Sequence, residues 1–139
     1  TKVIDERSVL LLVSRNLEEN IFELTQALLT KNQAKTIEIF YDLIARNEDP
    51  IRILNHIIAK VRELMHTKLL IEKGYGQEQI AEHFRIKSGR AFYLIKNAQN
   101  ISFSILENHI KKISQLDYEI KSGKIDKKLG VELYLLGAD

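Results

Sequence analysis

The chain of 139 residues carries 21 Lys and Arg against 19 Asp and Glu, with no cysteine and a single proline. That length suits one domain with a core of its own, and a balance of +2 excludes a phosphate-neutralising surface spread over the whole molecule, leaving only a local patch. The lack of cysteine excludes disulfides, thiolate zinc sites and cysteine nucleophiles; the longest apolar run, Val9 to Val13, is far below the roughly 20 residues of a bilayer crossing, and the charged opening Thr1 to Arg7 does not read as a signal peptide, so no membrane and a cytoplasmic location are expected.

Apolar residues recur at three and four spacing nearly throughout, which predicts helices joined by short turns and leaves strands almost nowhere to form. Asp5 is expected to cap a short helix to about Val13, with Val9 and Leu12 facing inward. Asn16 and Glu19 have the capping-box spacing, predicting a second helix to about Thr30 striped by Leu17, Ile21, Leu24 and Leu28. After a turn and cap at Asn32, a third helix runs to about Arg46 with Ile37, Phe40, Tyr41 and Ile44 on its inner side, and stops before Pro50. Pro50 opens the longest helix, to about Lys73, whose ~24 residues would span about 36 Å; its apolar face is Leu54, Ile57, Ile58, Val61, Leu64, Met65 and Leu69, and Gly74 and Gly76 end it. Two short helices over 77–84 and 88–99 precede a long one over 102–121, lined by Ile105, Leu106, Ile110, Ile113, Leu116 and Ile120. Ser122 and Gly123 break the pattern, and Asp126 caps a last helix in which Leu129, Leu133 and Leu136 repeat at helical spacing. The expected fold is all-α: a single compact bundle of about seven to eight helices around one long central helix.

Little in this pattern points to catalysis. His56, His66, His83 and His109 lie ten or more residues apart, so no pair has the four-residue spacing of a helical zinc site, and no metal or other cofactor is expected. His66, near the end of the long helix, reads as a structural residue complementing the helix dipole. Gly74-Tyr75-Gly76 lacks the lysine and hydroxyl residue of a phosphate-binding loop and reads as a helix stop. The segment Gln77 to Leu94 resembles a helix-turn-helix, with Ala81 inside the first helix. Arg85, however, stands where such motifs place glycine, and Phe92, Tyr93 and Leu94 occupy the helix that would read bases with polar side chains. Two readings stand: a structural helix pair, which is preferred, and a DNA-binding module contacting phosphates through Arg85, Lys87, Arg90 and Lys96.

Several segments in one order carry a family resemblance. Asn16 to Leu28 (NLEENIFELTQAL), Asn47 to Leu54 (NEDPIRIL), Lys68-Leu69-Leu70, Gln79-Ile80-Ala81, Asp117 to Gly123 (DYEIKSG) and Leu129 to Leu133 (LGVEL) are together similar to the C-terminal domain of the delta subunit of the bacterial DNA polymerase III clamp loader. The resemblance implies a collar domain over 16–139, with 1–15 as the end of the preceding lid domain or linker. It also implies a non-catalytic scaffold of a DNA-directed DNA polymerase (nucleotidyltransferase) assembly. Its partners would be the collar domains of the tau or gamma and delta-prime subunits. The sliding clamp would be met only by N-terminal modules outside this sequence, and DNA mainly by the assembled complex. Tyr93, Tyr118 and Tyr134, near the ends of amphipathic stripes, are the expected interface anchors.

Overall fold

The computed structural model describes residues 6–137, with side chains from Leu17 onward. The described residues form seven helices and no strand: α1 (Glu6–Leu29), α2 (Gln33–Ala45), α3 (Pro50–Glu72), α4 (Gln77–Phe84), α5 (Ser88–Gln99), α6 (Phe103–Lys121) and α7 (Lys127–Leu135). The all-α reading therefore holds, and α3, about 35 Å long, is the expected long helix from Pro50. The two helices expected before Asn32 are one. α1 passes through Asn16 unbroken, because no glycine or proline interrupts residues 6–29 and an Asn…Glu spacing inside a continuing helix caps nothing. Asp5 and the side chains of Val9 and Leu12 lie outside the described residues.

The other ends follow their local chemistry. Asn32 caps α2 by accepting from the Lys35 amide, Ser102 caps α6 through the Ile105 amide, and Asp126 caps α7 through the Leu129 amide at 3.0 Å. Asn47 takes a left-handed conformation (φ 65°) just beyond α2, and Gly74 (φ 89°) closes α3. Gln79 reaches back to the Gly76 amide at 2.8 Å, half of a capping box at the start of α4.

By contact the chain divides into two compact units, residues 1–56 with 123–139 and residues 57–122; α3 runs from the first into the second. In the first, Ile21, Leu24, Ala27 and Leu29 of α1, Phe40 and Leu43 of α2, Ile53 and Leu54 of α3, and Val131, Tyr134 and Leu135 of α7 are buried. In the second, the buried set is Ile57, Val61, Leu64 and Leu70 of α3, Ile80 and Ala81 of α4, Ala91, Leu94 and Ala98 of α5, and Leu106, Ile113 and Leu116 of α6. Three buried threonines, Thr25, Thr36 and Thr67, each donate to the carbonyl four residues earlier at 2.8–2.9 Å, so no buried hydroxyl among them is left unsatisfied. Two expected inward residues point out: Tyr41 and Leu69 are exposed, while Thr36 and Leu43 take the inner side of α2.

Candidate partner-binding surfaces

α7 of the first unit is apolar on two sides. Gly130, Val131, Tyr134 and Leu135 are buried, whereas Leu129, Leu133 and Leu136, the leucines that repeat at helical spacing, are 48, 37 and 39 % exposed. The two sets interleave by one position, so rotation of the helix by about 100° decides which is core. Beside the leucines, the Tyr41 hydroxyl donates to the Glu132 carboxylate, an acceptor whose bond and negative charge hold the phenol proton and raise its pKa. Lys127 meets Asp49 at 3.4 Å; the Ile51 amide, and then that lysine, keep the Asp49 carboxyl below the usual range. α1 adds Phe22, 47 % exposed, to this unit's apolar surface.

Tyr134, expected as an interface anchor, is instead a core residue at 7 % exposure, and burial pushes its hydroxyl far above the ordinary phenol range. A tyrosine at the end of an amphipathic stripe looks the same in sequence whether its ring ends in the core or on the surface. Tyr118 and Tyr93, in the second unit, are exposed at 57 and 63 %.

In that second unit α4 and α5 form the helix pair seen in the sequence. The turn between them has Arg85 in the left-handed conformation (φ 58°), its amide bonded to Ala81 and Glu82 carbonyls: the backbone does what a glycine would do there, on a residue that adopts it at a cost. α5 buries Ala91, Leu94 and Ala98 and exposes Phe92 and Tyr93, whose rings meet edge to face at 5.4 Å. Arg85, Lys87, Arg90 and Lys96 are all exposed and none makes an ion pair among the described residues. A groove of about 460 Å³ beside α5 has Ile71, Tyr75, Phe92, Ile95, Lys96 and Gln99 among its lining residues. Phe92 and Tyr93 thus stand exposed on the helix that in a helix-turn-helix would present polar base-reading side chains.

The histidines hold one arrangement that their spacing hides. His66 on α3 and His83 on α4 bring their rings to 4.7 Å, with Phe84 against both and Tyr75 against His83. Packing of two helices, not local sequence, joins them. Among the described residues no three His, Cys, Asp or Glu side chains gather as a metal site, and no helix is long and apolar enough to cross a membrane.

Residues 18–138 match the family model of the DNA polymerase III delta subunit, C-terminal domain. The chain belongs to this family. It is 40 % identical over 128 residues to the DNA polymerase III subunit delta of Bacillus subtilis (strain 168), a match covering 92 % of this chain and 37 % of that protein. The solved structure of the Bacillus subtilis DNA clamp loader delta protein superposes with a TM-score of 0.79 at 39 % identity, over 94 % of this chain and 39 % of that one. The chain thus spans under two fifths of the length of these relatives, and the delta family, not a helix-turn-helix module, accounts for its helix order.

Proposed function

We propose that this domain is the non-catalytic collar of a clamp-loader delta subunit, holding it against neighbouring subunits in the cytoplasm so that the assembly can place a sliding clamp on DNA. The collar covers residues 16–139, with 1–15 leading from the preceding lid domain. One observation carries the reading: α7 leaves Leu129, Leu133 and Leu136 partly exposed on one side of a helix whose other face forms a core. Clustered exposed leucines next to a hydrogen-bonded tyrosine have the make-up of the apolar centre of a protein interface, where charged groups are depleted. Tyr118 on α6 offers a second anchor of the type that dominates binding energy. The neighbours would be the collar domains of tau or gamma and delta-prime subunits. The sliding clamp would be met only by N-terminal modules beyond this chain, and the work of the domain is to fix a position and not to do chemistry.

The test is size-exclusion chromatography with light scattering, mixing the full-length protein with the tau and delta-prime subunits of the same source. A stable co-eluting complex that is lost on Leu133→Asp, with the fold retained, supports the reading. A complex indifferent to Leu133→Asp moves the interface elsewhere.

A further inference from the structure

We propose that His66 and His83 form a two-histidine site for a transition-metal ion of the zinc class, which ties α4 to α3 within residues 57–122. The inference does not rest on the assembly reading, which uses a helix of the other unit.

Placement points to it first. His66 stands on α3 and His83 on α4, yet their ring centres are 4.7 Å apart. A metal–nitrogen bond of ~2.1 Å sets the centre of an imidazole ring ~3.2 Å from the ion, so two rings on one ion have centres ~4.5 Å apart at a right angle and ~5.2 Å apart at the tetrahedral angle. The observed separation lies between those limits, and the rings, at 88° to each other, do not stack face to face. Both side chains are exposed, and the χ2 torsion of histidine is broad, so either ring can turn a nitrogen toward the shared point without moving a helix. The four-residue spacing of a zinc pair on one helix is absent because the two ligands come from two helices.

The surroundings support it next. Phe84 packs against both rings, at 5.2 Å from His66 and 5.0 Å from His83, and Tyr75 meets His83 at 6.3 Å. That aromatic wall holds the imidazoles near each other before any ion arrives, so little ordering accompanies binding. Solvent reaches both histidines, and water fills the coordination positions that protein does not.

The donors decide the kind of ion. Among the residues three and four positions from each histidine the only carboxylate is Glu63, which is paired with Lys60 at 3.1 Å. Magnesium and calcium require oxygen donors and find few here, whereas imidazole nitrogen suits zinc, nickel and copper. An ion bonded to each helix bridges the turn at 73–76 and couples its own binding to the closure of α4 on α3.

The experiment is calorimetric titration of zinc chloride into the full-length protein with magnesium in excess, for wild type, His66→Gln, His83→Gln and, as a control, His56→Gln. Far-UV circular dichroism on the same samples checks the fold. Wild type should show a zinc-binding step that magnesium does not remove. Loss of a group that merely orients a ligand costs about 10–100-fold in metal affinity, so His66→Gln and His83→Gln should each weaken that step at least about tenfold. His56→Gln, exposed on α3 outside the pair, should leave it unchanged. In wild type alone, zinc should also slow hydrogen exchange of the α4 amides. Absence of a zinc step in wild type overturns the proposal, as does a step that survives either substitution, one that magnesium abolishes, or α4 exchange indifferent to zinc; the rings would then serve packing alone. Failure of the assembly reading shows in the Leu133 variant and leaves this titration unaffected.

Discussion

Two neighbouring substitutions on α7 separate the core face from the candidate assembly face. Val131→Ala removes two methyl groups from a site with no solvent exposure. At about 0.8 kcal/mol per buried carbon group, plus a share for the cavity left behind, the loss is about 2 kcal/mol. For a chain of this size that lowers the midpoint of thermal unfolding by roughly 6–8 °C. Leu133→Ala removes three carbons from a side chain already 37 % exposed beyond the core, so its stability change stays near 1 kcal/mol or less. In complex formation the order reverses: Leu133→Ala weakens association with partner subunits about tenfold or more if the leucine is an anchor, and Val131→Ala leaves the affinity of folded protein near wild type. The assays are urea denaturation of the chain and titration calorimetry of the full-length protein into a complex of its partners. A larger stability loss for Leu133 than for Val131 would refute the assignment of the two faces; equal association for Leu133→Ala and wild type would refute the role given to the exposed one.

Three further outcomes are expected. Arg85→Gly relieves the left-handed strain at φ 58° and raises stability by about 1 kcal/mol in urea denaturation, where the same change at a right-handed helical site destabilises. Asp126→Ala deprives the Leu129 amide of its acceptor and costs about 1 kcal/mol, with hydrogen exchange of the first α7 amides accelerated. His109 has its pKa lowered, first by burial and then by Lys112, so the unfolded chain takes up its proton more readily than the folded one. Stability from this group is present above the unfolded value of about 6.5 and is lost as pH falls through that value toward the lower folded one. Denaturation midpoints measured from pH 7.5 down to pH 5.5 should fall more steeply in wild type than in His109→Gln.

The sequence was most legible where single residues punctuate the chain. Asn32, Pro50, Gly74, Ser102 and Asp126 set helix ends through backbone chemistry that acts within a turn, and α4 and α5 begin and end where their patterns do. Asn16 misled because the capping-box spacing is also an ordinary pair of polar residues inside a helix, and nothing in residues 6–29 forces a stop. The faces of α2 and α7 were harder for a different reason. Where apolar residues surround much of a helix, periodicity gives an axis but not a rotation, and the choice falls to neighbours that are distant in sequence. That is how the Leu129, Leu133 and Leu136 stripe came to lie outside and Tyr134 inside. The phosphate-contact candidates were visible as residue types, but their lack of counter-charges is a property of the folded unit. The His66 and His83 pair left no local signal at all.

The buried threonines carry a last consequence. Since Thr25, Thr36 and Thr67 each satisfy their hydroxyls on their own helix, no polar bond in that set ties one helix to a particular residue on another. Exchange of any of them for alanine or valine therefore orphans no polar partner on another helix.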